Sequence, residues 1–254
     1  MITGPAFISA IMKSCKGNMR WLKTLAGGGG AISDEEEKKL NEILAKCHAT
    51  VEYTVGYGMT ECGPLISYAP WEQSRATSCG KIVDRMQARI DSSDPENIVG
   101  ELHVKGDNIM LGYYKNNEAT ENAFKDGWLN TGDLAVMDKD NFIYLKGRSK
   151  NMILGPSGQN IYPEEIEGKL NNMPFVSESI VIEKEGKLIA LVYPDFENAG
   201  KENITQKNIE IQMEENRIAL NKELPAYSQI SQINIHYEEF EKTPKRSIKR
   251  YLYQ

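Results

Sequence analysis

The chain has 254 residues, with 30 Lys and Arg against 36 Asp and Glu, for a formal net charge of −6. Its 40% hydrophobic and 26% charged residues are the composition of a soluble globular protein with a real core, built as one large domain or two smaller ones. The mild acidity argues against nucleic-acid binding through bulk charge, and no apolar run approaches the ~20 residues that span a bilayer.

Four cysteines, Cys15, Cys47, Cys62 and Cys79, include no Cys-x-x-Cys pair, and His48, His103 and His236 stand outside metal-ligand spacing. Zinc-site spacing is absent, and the cysteine count is too low for a disulfide scaffold. Unpaired thiols in a reducing compartment are therefore expected. No basic flank with a small-residue cleavage site opens the chain, so no signal peptide is read and a cytoplasmic location is expected.

From the N-terminus, the first clear element is a helix over residues 34–47. Ser33 can cap it, Glu36 completes a capping box, and Asp34-Glu35-Glu36-Glu37 puts negative charge at the positive end of the helix dipole. Leu40, Ile43, Leu44 and Cys47 mark one buried face. Immediately before it lies Gly27-Gly28-Gly29-Gly30-Ala31. Residues 51–55, β-branched and aromatic, predict a strand running into Gly56-Tyr57-Gly58-Met59-Thr60-Glu61. Residues 82–83, 88–90 and 101–105 predict hairpin strands, separated by Asp91-Ser92-Ser93-Asp94-Pro95 and by Gly100. A further strand pair, 134–136 and 142–145, brackets Asp138-Lys139-Asp140-Asn141.

Beyond residue 149 the texture changes. Pro163 suits the first position of a helix, with Glu164 and Glu165 in its first turn. Strands 179–182 and 188–193 flank Glu185-Gly186, a hairpin signal. A helix over 205–222 and a strand over 230–236 complete an α/β unit of about 100 residues, a plausible domain size.

Several segments could carry chemistry. Glycines before a helix N-terminus suit either close approach of an anionic ligand or a tight ligand-free loop. No Lys-Ser or Lys-Thr follows them, so this is not a P-loop. Tyr57-Gly58-Met59-Thr60-Glu61 sets an aromatic face, a hydroxyl and a carboxylate within one turn after a strand. That set suits a nucleotide: a ring to stack on, a donor for a phosphate, an oxygen ligand for Mg²⁺. Thr131-Gly132-Asp133 offers a carboxylate suited to a ribose diol, though alone it reads as an ordinary turn. Gly147-Arg148-Ser149-Lys150 is equally open.

In their order, these segments resemble the adenylate-forming superfamily of acyl-CoA synthetases, peptide-synthetase adenylation domains and luciferases. The resemblance is carried by Tyr57-Gly58-Met59-Thr60-Glu61, by Gly100-Glu101-Leu102 through Gly106 to Gly112-Tyr113-Tyr114, and by Gly127-Trp128-Leu129-Asn130-Thr131-Gly132-Asp133. It continues through Gly147-Arg148-Ser149-Lys150-Asn151-Met152-Ile153 and Gly158-Gln159-Asn160-Ile161-Tyr162-Pro163-Glu164-Glu165-Ile166-Glu167. The last segment looks most like long-chain fatty-acid–CoA ligases. The implied fold is α/β, with α+β character in the C-terminal part. Residues 1–149 would be the C-terminal part of a large adenylation domain with mixed sheets and hairpins, and 150–254 a small lid domain.

The implied reaction joins ATP and a fatty acid to an acyl-adenylate with release of pyrophosphate. The thiol of coenzyme A then displaces AMP; loading of a carrier protein and a non-catalytic nucleotide-binding fragment are the alternatives. By match to the family, Gly30 and Ala31 line the adenine pocket, Tyr57 stacks on adenine beside Gly58, Thr60 contacts the α-phosphate and Glu61 binds Mg²⁺. Asp133 and Arg148 hold the ribose, Lys150 is the hinge, and Gly158 lines the pantetheine tunnel. A long-chain substrate would allow peripheral membrane contact.

Two departures stand out. The family's Pro-x-Gly-Lys-Ile/Val-x-Arg tail is here Pro244-Lys245-Arg246-Ser247-Ile248-Lys249-Arg250, so Ser247 sits at the catalytic lysine position. Lys245 and Lys249 are the candidate substitutes, and a solvated basic tail is the alternative. The family's Ser/Thr/Gly-rich phosphate loop does not precede Gly27. The chain is therefore expected to be a C-terminal portion lacking the N-terminal part of its own enzyme, and inactive alone.

Overall fold

The computed structural model describes residues 2–3, 17–28, 34–202, 204–243 and 247–254. The chain divides into two compact units, Met1–Ser149 and Lys150–Gln254.

In the first unit, strands β1 (Ile2–Thr3), β2 (Leu25–Gly27), β3 (Tyr53–Gly58), β4 (Leu65–Tyr68) and β5 (Lys81–Ile82) form one sheet in that order. β1, β2 and the first half of β3 run parallel, whereas β3 to β4 and β4 to β5 are antiparallel. Helix α1 (Asp34–Lys46) buries Leu40 and Leu44 against Leu22, Leu25, Val51 and Tyr53. Full burial of such a side chain contributes roughly 1.5–3 kcal/mol. The proposed cap Ser33 lies outside the described residues. β3 begins later than the sequence pattern and runs through Gly56-Tyr57-Gly58. β4 holds these glycines extended, Gly56 pairing with Tyr68 and Gly58 with Leu65, whereas on the other side β2 pairs only as far as Val55, through Gly27.

Gly58 has a packing role. A Cβ there would lie 1.8 Å from the carbonyl oxygen of Pro64, so only glycine lets the two backbones approach at this register shift. The thiol expectation is corrected at one position. Cys62 and Cys79 are free and buried, but Cys47 is disulfide-bonded. Sequence spacing carries no information about which thiols the fold brings together.

The second sheet of this unit is antiparallel, in the order β10 (Ile143–Arg148), β9 (Trp128–Met137), β7 (Gly100–Gly106), β6 (Met86–Asp91), with β8 (Phe124–Lys125) also on β9. Leu102, Val104, Leu129, Ala135 and Ile143 pack beneath it against Cys62, Ile66 and Cys79. The short helix α2 (Asn117–Ala123), not evident in the sequence, is started by Asn116, whose Oδ1 accepts from Ala119 N at 3.0 Å.

The second unit pairs β11 (Ile153–Leu154) with β12 (Asn160–Ile161), and joins β13 (Val176–Lys184), β14 (Lys187–Pro194) and β15 (Gln232–Ile235) in a separate sheet. Glu185 and Gly186 both have positive φ, 53° and 75°, as a type I′ hairpin turn requires. β15 joins β14 in parallel. Helices α3 (Pro163–Leu170), α4 (Phe196–Lys201) and α5 (Gln206–Glu223) contribute Ile166, Leu170, Ala199, Ile209, Met213 and Leu220 to one core with Val181, Ala190 and Val192. The Thr205 side chain caps α5, accepting from Asn208 N. Among the described residues no helix is long and apolar enough to cross a membrane.

Candidate functional site

The site grows from an irregularity in β9. Across β7, His103 pairs with Asn130 and Glu101 with Leu134, so Thr131, Gly132 and Asp133 stand opposite Leu102 alone. The Thr131-Gly132-Asp133 segment is therefore a bulge inside a ten-residue strand, not the separate turn that its composition suggests alone. Gly132 supplies the positive φ of 70° that the bulge needs. The bulge holds itself with side chains: Thr131 Oγ1 donates to Leu102 O at 2.8 Å and accepts from Asp133 N at 3.1 Å. Gly132 N donates to Asn130 Oδ1 at 2.8 Å.

This distortion sets Asp133 between two partners. Arg148, its cross-strand neighbour on β10, approaches Asp133 Oδ1 with Nε at 2.9 Å and donates through Nη1 to Thr131 O at 3.3 Å. From the other sheet, the Tyr57 hydroxyl donates to Asp133 Oδ2. Burial, and then the Asp133 carboxylate beside it, push the Tyr57 hydroxyl far above its ordinary range, so it remains a proton donor at any working pH. The Asp133 side chain is only 9% exposed but Arg148 is 56% exposed. The cluster thus presents a guanidinium to solvent and holds its carboxylate in place beneath.

β3 leads from Tyr57 into a short 3-10 turn, Thr60–Cys62. Thr60 is exposed and Glu61 half-buried. Glu61 is fixed at both ends: its backbone oxygen accepts from Met110 N at 2.8 Å, and Oε1 accepts from Tyr113 OH at 3.0 Å. Asn108 Nδ2 pins the following loop through Cys62 O at 2.5 Å and Leu65 O at 3.0 Å. No group of three or more His, Cys, Asp or Glu that could cage a metal occurs among the described residues. A single carboxylate fits a magnesium ion held mainly by substrate phosphates and water.

The structure thus brings Tyr57, Asp133 and Arg148 into direct contact. Gly30, Ala31 and Lys245 lie outside the described residues. Lys150 is exposed on a 3-10 turn, Ser149–Asn151, and is the first residue of the second unit. Gly158, with φ of 82° and open space around it, closes the turn between β11 and β12 by donating to Gly155 O at 2.9 Å. Lys249 Nζ is engaged with Glu241 Oε2 at 3.0 Å. Sequence reasoning gave no role to Tyr113, Glu101, Asn130 or Ser149. All four stand in or beside quoted segments, but their partners are set by strand register, which the segments do not encode.

Two family models match the chain: AMP-binding enzyme over residues 1–114 and AMP-binding enzyme C-terminal domain over residues 150–253. A long-chain-fatty-acid–CoA ligase of Escherichia coli O6:H1 is 44% identical over 159 residues, covering 60% of this chain and 27% of the relative. A 2-succinylbenzoate–CoA ligase of Bacillus licheniformis is 34% identical over 177 residues, covering 68% of this chain and 35% of the relative. Among solved structures, O-succinylbenzoate coenzyme A synthetase (MenE) from Bacillus subtilis, in complex with ATP and magnesium ion, matches with a TM-score of 0.77 at 23% identity. That match covers 98% of this chain and 50% of the other. The chain therefore spans about a quarter to a third of the curated relatives' length and half of the solved one.

Proposed function

This chain belongs to the adenylate-forming, AMP-binding enzyme family, and from that premise we propose that it is the nucleotide-holding and lid portion of an ATP-dependent, AMP-forming fatty-acid–CoA ligase. In that reaction a carboxylate oxygen attacks the α-phosphorus of ATP and pyrophosphate leaves. A thiol sulfur then attacks the acyl carbon and AMP leaves. The fatty-acid assignment follows relatives such as the Escherichia coli ligase. The acceptor thiol belongs to coenzyme A or to a carrier protein's pantetheine arm.

The observation that carries the proposal is the Tyr57–Asp133–Arg148 constellation. A carboxylate has about four acceptor sites, so its engagement by Tyr57 and Arg148 orients Asp133 and is compatible with accepting a ribose diol. Such a charge-assisted contact contributes roughly 1.5–3 kcal/mol. The Tyr57 ring supplies an adenine-stacking face, Arg148 a solvent-facing cation, and Thr60 a hydroxyl for the α-phosphate. Glu61 would hold magnesium, which when bound neutralises phosphate charge. Lys150 opens the lid unit and is the position about which that unit would turn. Gly30 and Ala31 are assigned to the adenine pocket, and Gly158 to the pantetheine path.

The tail assignment keeps both Lys245 and Lys249; the Lys249 contact with Glu241, at 3.0 Å and with Glu241 65% exposed, is of the kind that contributes little. Thr243 N donates to Ser247 O at 2.8 Å, and Lys242 bridges Ile248, so both ends of the segment carrying Lys245 are held. The isolated chain should bind AMP through the Tyr57–Asp133–Arg148 constellation, and fatty-acid-dependent acyl-CoA synthesis is not expected of it. Calorimetric titration of the whole chain with AMP tests this. Asp133→Ala should weaken binding by at least about tenfold, and unchanged affinity removes the ribose assignment.

A further inference from the structure

We propose that Glu101 is a positioning residue for the Asp133–Arg148 pair, a carboxylate that ties together the two strands from which that pair projects. The inference rests on the nucleotide reading of the site.

A bulge in which three residues face one gives up ladder hydrogen bonds and needs substitutes to stay in one conformation. Thr131 provides one, through Leu102 O. Asn130 provides the other, and its amide is used at both ends: Oδ1 accepts from Gly132 N, and Nδ2 donates to Glu101 Oε2 at 2.8 Å. The second Glu101 oxygen accepts from Ser149 Oγ at 2.7 Å. Ser149 directly follows Arg148, and Asn130 begins the segment that ends in Asp133. One side chain on β7 therefore anchors the carboxylate-bearing strand with one oxygen and the end of the guanidinium-bearing strand with the other.

The neighbouring His103 does not explain Glu101. Its Nε2 lies 3.8 Å from Glu101 Oε2, too far for a hydrogen bond, and neither ring nitrogen has a hydrogen-bond partner. Burial, then the Arg89 charge, lower its pKa, so it is neutral near pH 7 and offers Glu101 no counter-charge. The Glu101 side chain is 37% exposed, so it is not a core residue whose loss must unfold the sheet. What its two oxygens share is the pair of strands that build the site.

Chemistry separates the variants. Gln at position 101 can accept from Asn130 through its carbonyl and donate to the Ser149 hydroxyl through its amide. Ala can do neither. The readout is the ratio of affinities for AMP and 2′,3′-dideoxy-AMP, measured by calorimetry on the whole chain. This ratio reports diol recognition and is insensitive to a general loss of stability.

The wild type should favour AMP by about tenfold or more. Glu101→Ala should bring the ratio down to about twofold, Glu101→Gln should keep most of it, and Ser149→Ala should fall between. Ser149→Ala, a single-atom change at the strand end, keeps the test alive if Glu101→Ala does not fold. A wild-type ratio in Glu101→Ala, or in Ser149→Ala should Glu101→Ala not fold, overturns the positioning role, as does equal loss in Glu101→Gln and Glu101→Ala. A wild-type chain that does not discriminate the two nucleotides fails earlier, at the ribose assignment of Asp133, and removes the premise for Glu101.

Discussion

Replacing Arg250 by alanine strips a buried carboxylate of its counter-ion. Arg250 Nη1 lies 2.7 Å from Glu167 Oε1 and 2.8 Å from Oε2, while Nη2 donates to Val181 O at 2.9 Å. Glu167 Oε1 also accepts from Val181 N at 2.5 Å. The two side chains are only 13% and 10% exposed. Removing one partner of such a pair costs about 3–5 kcal/mol, because the other charge stays buried. The carboxyl has an escape, however. Burial pushes Glu167 up to about 7, with the Arg250 charge as the largest opposing influence. Without Arg250 it must rise further. The native state then binds the proton more tightly than the unfolded chain does. This contribution is retained at low pH and falls from about 4.5 upward by about 1.4 kcal/mol per pH unit. Wild type and variant fall alike up to about 7, and only above that does the variant, with its higher pKa, lose more, so the cost of the substitution grows there by about 1.4 kcal/mol for each pH unit. Arg250→Ala should cost about 3–5 kcal/mol at pH 8 and clearly less at pH 5.5. Urea unfolding of the whole chain reads this out. Trp21, Trp71 and Trp128 all belong to the first unit. The loss should therefore be read in the circular-dichroism transition, to which the second unit contributes, because the tryptophans report on the first unit. Adding Glu167→Gln to Arg250→Ala removes the buried charge and should recover part of the loss at pH 8. A loss below about 1 kcal/mol at pH 8, or one independent of pH, refutes the reasoning.

Two further outcomes follow from the packing of the first unit. Gly58→Ala drives a methyl against the Pro64 carbonyl oxygen and should destabilise that unit by about 1–3 kcal/mol, read as an earlier tryptophan fluorescence transition in urea; an unchanged midpoint would show that the two strands part freely. Burial pushes the Cys62 thiol up to about 12 and that of Cys79 up to about 11. At pH 8 neither should react with a disulfide reagent until the chain unfolds, since the thiolate is the nucleophile; rapid labelling of the native protein at either position would contradict the burial.

What the sequence showed, and where it fell short, divides along physical lines. The β-branched runs at 179–182 and 188–193 with Glu185-Gly186 between them gave a correct hairpin, because alternation and turn chemistry are local. Pro163 marked a helix start for the same reason. Parallel addition of β15 to β14 is non-local, and nothing in residues 232–235 signals the partner. α2 and α4 were missed because seven and six residues are too few to show a helical stripe. At the site, the order of motifs marked out Tyr57, Asp133 and Arg148 as a set. The contact between Tyr57 and Asp133 joins two different sheets, and the bulge that aims Asp133 appears only once β7 and β9 are paired. A short Thr-Gly-Asp string reads as a turn until its neighbours make it a strand.

The basic tail shows the same limit in electrostatic form. Lys242, Lys245, Arg246, Lys249 and Arg250 read in sequence either as a solvated basic tail or as cations available to an anionic substrate. In the fold, Lys242 meets Glu178 at 2.8 Å, Lys249 meets Glu241 at 3.0 Å, and Arg250 meets Glu167. Glu167 and Glu178 lie far upstream in the chain, so no window along the sequence balances these charges. The tail's charge thus serves in large part to fasten its own backbone to the second unit. Arg250 does so most firmly, because its partner is buried. A tail held at both ends of residues 244–246 is also what a lysine acting within that segment would require. Counting charge overstates what a substrate can use whenever the same residues also close the fold.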